Sequence, residues 1–353
     1  MFGFQESRKV LGGMNTTNGR HDLHHRRLAA LLLATLVLIP PASQAAPAPL
    51  LERFLQGPLR EVEHIVFAAR GVNPTDGHWY ANFGYYSHDP DRKAWVEGTR
   101  LYRLNLRTRA LDTLLDDPRG GVRDPQVSHD GSRILLSYRP GGTEHYHLYE
   151  ISDPGTPAAR PAENLPAGAS LPHGGRLRQI TSGPFDDIEG AYLPDGGIVF
   201  VSSRCKRWVN CWLTQVAVLH RCDPDGSNLR ALSSNNEHDN TPWPLADGRI
   251  LYTRWEYVDR SQVHFHHLWV ANPDGTGQMT WYGNYHPGIT MIDAKPIAGT
   301  DRVVAIFSPG HGQREHDGVV TVVDPRGGPD AKGFARAVSR ESNHRDPWAF
   351  SDD

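Results

Sequence analysis

The strongest constraint on this chain is a repeat. Asp187, Asp239, Asp293 and Asp346 are separated by 52, 54 and 53 residues, and each opens a similar phrase. The phrases are DIEGAYLPDGGIVFVSSR, DNTPWPLADGRILYTR, DAKPIAGTDRVVAIFS and DPWAFSDD, and Asp124 starts an earlier copy, DPQVSHDGSRILLSYR. Self-similarity at such a period marks one supersecondary unit stacked on copies of itself.

Each phrase reads as strand, tight turn, strand. The Asp-Gly pairs at 130–131, 195–196 and 247–248 supply the left-handed backbone that a short hairpin needs. A β-branched and aromatic run follows each turn, as strands prefer. A third strand is expected at 147–151, 215–219, 267–271 and 319–323, and a fourth at sites such as 229–233. Four antiparallel strands recurring at this spacing make a β-propeller blade. The expected fold is therefore all-β, a propeller over residues 62–353. It has five blades, at about 62–117, 124–182, 187–234, 239–283 and 293–341, and a sixth that begins at Asp346 and is read as truncated. Residues 46–61 form an N-terminal arm or short helix, and the Pro/Ala/Gly-rich stretch 153–176 is a surface insertion.

The first 45 residues read as an address. Arg26-Arg27 precedes a 12-residue apolar run, Leu28 to Ile39, and the small-residue stretch Ala42-Ser43-Gln44-Ala45-Ala46. That order is a secretory signal peptide, and the run is short for a membrane span. A periplasmic or secreted protein is expected, with no membrane span after cleavage. The net charge of −3 offers no basic footprint for nucleic acid. Three cysteines, Cys205, Cys211 and Cys222, leave at least one thiol outside any disulfide.

Up-and-down strand order places the loops between strands two and three on one face, beside the loops between blades. Twelve of the 16 histidines beyond residue 45 map to that face, which makes it the expected working surface, since rigid scaffolds present function on loops. Its partner or substrate residues are Asp76, His78, Trp79, Tyr80, Arg204, Arg254, Trp255, Glu256 and His267. Metal candidates are Cys205, Cys211, His264, His266, His311 and His316, because imidazole, thiolate and carboxylate are the usual ligands of zinc and similar divalent ions. Each has a structural alternative: a Cys205–Cys211 disulfide, or histidines packed at blade edges. Cys222 is expected to be a buried small hydrophobe. Arg254-Trp255-Glu256-Tyr257 is expected to form an ion pair between blades under aromatic cover. The recurring aspartates are expected to cap loop amides near the tunnel. No nucleophile elbow, P-loop or dinucleotide fingerprint is present.

Several phrases resemble the middle propeller of hydrazine synthase alpha-subunit-like proteins. They are Asp76-Gly-His-Trp-Tyr-Ala-Asn-Phe-Gly-Tyr-Tyr86, Tyr192-Leu-Pro-Asp-Gly-Gly-Ile-Val-Phe200, Gly248-Arg-Ile-Leu-Tyr-Thr-Arg-Trp-Glu-Tyr257, Asn272-Pro-Asp-Gly-Thr276 and Tyr282-Gly-Asn284. The Asp-Gly repeats are also similar to TolB-type and WD40-like propeller repeats. The resemblance implies an exported propeller. In that family a propeller cysteine joins a haem and zinc site, and Cys205 or Cys211 would be its counterpart. No Cys-x-x-Cys-His occurs in the 353 residues, so no covalent haem and no hydrazine chemistry is expected. The first expectation is a binding or scaffold module for a protein, glycan or cytochrome. The alternatives are a metal-dependent hydrolase or lyase at the tunnel mouth, and an accessory to a haem-containing redox partner.

Overall fold

The computed structural model describes residues 50–70, 85–86, 89–93, 95–152, 165–210, 215–310 and 317–352. A short helix α1 (Leu50–Gln56) leads into strand β1 (His64–Ala69), and β2 (Tyr85–Tyr86) and β3 (Asp89–Lys93) form a separate small hairpin. β1 pairs antiparallel with β4 (Arg100–Asn105), which pairs with β5 (Leu111–Asp116) to make a three-stranded sheet.

The next two sheets each have four strands in sequence order. β6 (Gly121–Val127), β7 (Arg133–Arg139), β8 (His147–Ser152) and β9 (Leu177–Gln179) make one; β10 (Asp187–Tyr192), β11 (Ile198–Ser202), β12 (Val218–Cys222) and β13 (Arg230–Ala231) make the other. Two more up-and-down runs follow. They are β14 (Asp239–Pro244), β15 (Ile250–Trp255), β16 (Phe265–Ala271) and β17 (Met279–Tyr282), then β18 (Ile289–Pro296), β19 (Val303–Ser308), β20 (Val319–Val323) and β21 (Ala335–Ala337). A parallel bridge of Phe265 to Ile289 and His266 to Thr290 joins these two runs.

The turn chemistry read from the sequence is in place. Gly131, Gly196 and Gly248 have φ of 73°, 85° and 85°. Strand β12 begins three residues later than expected, at Val218. Gln215 is instead bridged to Trp208, and the Ala217 N–H donates to His238 Nδ1.

Each sheet buries its centre against the next. β10 and β11 are buried throughout, and their Ile188, Val199 and Val201 pack with Ile250, Tyr252 and Trp255 of the following run. The outer turns interlock as well. A Cβ on Gly226 would fall on the Ile180 carbonyl, and one on Gly275 would fall on the Leu232 carbonyl. These turns press against the preceding sheet, so only glycine fits there. No helix among the described residues is long and apolar enough to cross a membrane.

This interlock can be measured. Gly275→Ala should cost at least about 2 kcal/mol more in urea unfolding than Gly131→Ala. Both have positive φ and carry a strain of ~1–2 kcal/mol as alanine, but nothing lies within 4 Å of a Cβ on Gly131. Equal losses would show that the Gly275 turn yields freely.

Candidate functional site

The first strands of successive sheets share one local device. In β6, β10, β14 and β18 the pairing register slips at the same place, between Arg123 and Gln126, Ile188 and Ala191, Asn240 and Trp243, and Ile292 and Lys295. Inside each slip one non-glycine residue has a left-handed backbone: Asp124, Glu189, Thr241 and Asp293, with φ of 52°, 58°, 48° and 57°. Asp346 repeats the conformation at 50°. A β-branched residue such as Thr241 rarely adopts it.

The slips correct the periodicity read from the sequence. Asp124, Asp293 and Asp346 occupy the left-handed position, but Asp187 and Asp239 lie two residues earlier in their strands. The true counterparts there are Glu189 and Thr241. Asp187 accepts from Ser202 Oγ at 2.6 Å and Arg204 Nη2 at 2.7 Å. Asp239 accepts Arg254 Nε and Nη2 at 2.8 and 3.0 Å. Arg254 also donates to Gln278 and lies over the Trp269 ring at 4.6 Å. The expected ion pair between blades is therefore a pair within one sheet, because β14 and β15 place Asp239 directly opposite Arg254.

The left-handed residues are linked head to tail. The Glu189 N–H donates to Asp124 Oδ2 at 3.1 Å, and the Thr241 N–H to Glu189 Oε2 at 2.6 Å. The Asp293 N–H donates to Thr241 Oγ1 at 3.3 Å, and the Asp346 N–H bonds the Asp293 carboxylate. Of the recurring aspartates, Asp124 and Asp293 accept backbone amides, but these are strand amides of the neighbouring sheet instead of loop amides, whereas Asp187 and Asp239 pair with Arg204 and Arg254. Cations sit among them. Arg123 reaches Asp124 and Glu189 at 2.6 and 2.9 Å, Lys295 reaches Asp346 at 2.6 Å, and Arg70 lies 3.8 Å from Asp124.

Charge compensation is uneven. Burial pushes the Glu189 carboxyl up to about 7, and Asp293 up to about 6. Arg123 is shifted upward despite its own burial, because Asp124 and Glu189 both attract it. Both partners of the Arg123–Glu189 pair thus favour holding a proton. The reason is that one guanidinium serves two carboxylates, and Glu189 is left under-compensated. Attraction to Lys295 holds Asp346 below the usual carboxylate range.

A narrow space of about 50 Å³ lies inside the ring of left-handed residues, enough for a few waters. It shares walls with a cavity of about 780 Å³ lined by β1 from His64 to Ala68, by Asp124, Glu189, Trp243 and Asp293, and by Trp348 and Phe350. The cavity wall is thus aromatic and charged together. Trp348 is 55% exposed and meets Trp243 edge-on at 5.4 Å.

The residues expected to carry function are placed differently. Asp76, His78, Trp79, Tyr80, Cys211, His311 and His316 lie outside the described residues. Trp255 is 1% exposed and stacks on His266 at 5.0 Å and His238 at 6.3 Å. His266 is buried in that stack, whereas His264 precedes β16 and is exposed. His267 is buried, and its Nε2 lies 3.7 Å from Glu256 Oε1. Burial, Arg260, Arg254 and His286 push His267 down to about 3, so it is neutral. Glu256 accepts from Arg260 Nε at 2.8 Å, and Arg204 lies over Phe185 at 4.7 Å. Cys205 ends a 3₁₀ turn, Ser203–Cys205, and its thiol donates to the Val216 carbonyl. Cys205 is thus a free thiol and not half of the alternative Cys205–Cys211 disulfide; Cys211 itself lies outside the described residues. Cys222 is fully buried beside Ile198 and Phe200, and burial raises its thiol to about 12. Among the described residues no three His, Cys, Asp or Glu side chains converge as a metal-ligand group.

The sequence reading missed Glu189, Thr241, Arg123, Lys295, Trp243 and Trp348. One signal was available: an acid or threonine followed by a small residue or proline in every repeat, as in Asp124-Pro125, Glu189-Gly190, Thr241-Pro242, Asp293-Ala294 and Asp346-Pro347.

No protein-family model matches the chain, and no curated protein matches it in sequence. Among solved structures, Kuenenia stuttgartiensis hydrazine synthase superposes with a TM-score of 0.58 at 17% identity, over 78% of this chain and 39% of that one. The fold is a β-propeller. A putative TolB from Agrobacterium tumefaciens gives a TM-score of 0.48 at 15% identity, over 73% of this chain and 80% of that one. TolB from Acinetobacter baumannii gives 0.46 at 12%, over 70% and 51%. The hydrazine synthase likeness supports the propeller and stops short of assigning the chain to that family. This chain spans about two fifths of that protein's length.

The raised Glu189 carboxyl has a pH consequence. It binds a proton in the folded state between its ordinary value of 4.5 and about 7, where the unfolded chain has lost it. Folding stability should therefore fall as pH rises through that window. Glu189→Gln should flatten the fall by roughly 1–3 kcal/mol between pH 5 and pH 8, since each tenfold gain in proton affinity on folding is worth about 1.36 kcal/mol. Urea midpoints at both pH values test this, and an unchanged slope would place the titrating group elsewhere.

Proposed function

We propose that this chain is an exported propeller that works as a binding module, with its ligand site in the axial cavity. One observation carries the reading. The cavity of about 780 Å³ falls within the ~300–1,000 Å³ typical of small-molecule sites. Its lining combines Phe67, Trp243, Trp348 and Phe350 with Arg70, Lys295, Glu189 and Asp293. That mixture suits an organic ligand with an aromatic or apolar body and a charged group. Trp255, His266 and His267 are buried and contribute packing instead of contact area. The proposed ring has five blades, and β1, β4 and β5 belong to the first.

The environment-sensitive dye 1-anilinonaphthalene-8-sulfonate has the required chemistry. It should bind the folded protein with blue-shifted fluorescence, and Trp348→Ala should weaken binding at least tenfold. Trp208→Ala, at a tryptophan 39% exposed and absent from the cavity wall, should change nothing. Equal weakening by both variants, or by neither, would remove the axial cavity as the site.

The zinc reading depends on Cys211, His311 and His316. Elemental analysis of residues 46–353, purified from periplasm without chelator, tests it. Near-stoichiometric zinc lost in a His311→Ala/His316→Ala variant would establish a second site at that loop. A folded, metal-free protein would remove it.

A further inference from the structure

We propose that residues 345–352 are the missing innermost strand of the first sheet, and that their docking onto β1 closes the axial cavity. The proposal rests on the cavity reading above and adds its regulation.

The first sheet has three strands where the next two have four. Its β1 occupies the place of a second strand. His64 to Ala69 pair with Asn105 to Arg100 in β4, as Arg133 to Tyr138 pair with Ser152 to His147 between β7 and β8. The second strands β7, β11, β15 and β19 are buried along almost their whole length. β1 is half-buried at its centre and exposed at both ends. It is a second strand without its cover.

The cover is in the chain. Residues 346–352 read DPWAFSD, in step with Asp124-Pro125-Gln126-Val127 and Thr241-Pro242-Trp243-Pro244. Asp346 already holds the left-handed conformation of Asp124, Glu189, Thr241 and Asp293. His344, two residues earlier, donates its N–H to the Gly318 carbonyl, as Asp239 does to Ala217 and Asp187 to Tyr146. The segment is thus set up as a first strand, in the register of β10 and β14. Yet no described strand pairs with it beyond that bridge, and Trp348 and Phe350 line the same cavity as β1, with Trp348 against Trp243 and Phe350 against Phe54.

The repeat fixes the register. Val127 lies opposite Ile134 and Gln126 opposite Leu135, so Ala349 pairs with Ile65 and Trp348 with Val66. The Ser128 N–H donates to the Arg133 carbonyl, which makes Val127 and Ile134 a non-hydrogen-bonded pair, the kind with the closest approach of side chains. Ile65 and Ala349 inherit that geometry. With the strand docked, the space beside β1 is filled and the wide part of the cavity is gone. Strand docking and ligand occupancy are then alternatives.

The test is a full-length Ile65→Cys/Ala349→Cys variant under mild glutathione oxidation, with peptide mapping to separate the new link from the native thiols. Positions 65 and 349 should link within one chain, and the off-register pair Phe67→Cys/Ala349→Cys should not. The oxidised variant should bind the naphthalene dye at least fivefold more weakly than the reduced one. A link only between two chains would assign the slot to a second copy and overturn the proposal. So would equal linking of both pairs, or no linking in variants whose circular dichroism matches the parent. Tight dye binding in the intramolecularly linked form would overturn the closure. If the parent binds no dye, the ligand reading fails while the strand assignment stands on the linking result. Should the variants not fold, hydrogen exchange of the parent decides: a protected Val66 amide supports docking, and free exchange overturns it.

Discussion

A bulge in each of four first strands holds the centre of this molecule together. Slipping the register in β6, β10, β14 and β18 turns one residue left-handed and takes its N–H out of the strand ladder. A buried amide without an acceptor costs as much as a lost hydrogen bond. The acceptor comes from the left-handed residue of the preceding sheet: a carboxylate at Asp124, Glu189 and Asp293, and a hydroxyl at Thr241. The position therefore demands an oxygen-bearing side chain, even where threonine pays a steric penalty. Strain of ~1–3 kcal/mol per residue persists because each strained residue also bonds its neighbour.

That arrangement creates an electrostatic problem at the axis. Acceptors that are carboxylates crowd negative charge into a small space, and Arg70, Arg123 and Lys295 stand among them. Lys295 answers Asp346, and Arg123 divides between Asp124 and Glu189. Burial, reinforced by this incomplete charge compensation, lets Glu189 and Asp293 keep protons above the ordinary carboxylate range. The bonding that fixes the sheets together thus makes the axis responsive to charge and pH.

The period and the turns were legible in the sequence because they depend on local chemistry. Asp-Gly pairs set Gly131, Gly196 and Gly248, and the apolar runs after them became β7, β11 and β15. The register at the axis was not legible. Aspartate serves two different positions, pairing with arginine at Asp187 and Asp239 and accepting a strand amide at Asp124 and Asp293. A residue count alone merges the two. The histidine-rich phrase of β16 is a related case. In β16, His266 lies opposite Trp255 and His267 opposite Arg254, and both imidazoles are buried, His266 stacked on Trp255 and His267 beside Phe265 and Trp269. Sequence shows that such residues cluster but not that they pack on each other.

The uncovered β1 follows from the same device. The first sheet already packs on the second through Leu101, Leu115, Val122 and Leu136, but the linking oxygen of its own first strand has to come from Asp346, the most distant repeat in the chain. Asp346 is already linked on one side, through its N–H to Asp293 and its carboxylate to Lys295. What it lacks is the ladder to β1. Linking along the axis and pairing within the sheet are separate sets of bonds, so the first can form while the second stays open. That separation leaves an aromatic wall, Trp243 with Trp348 and Phe350, facing an accessible space where a continuous sheet would have buried it.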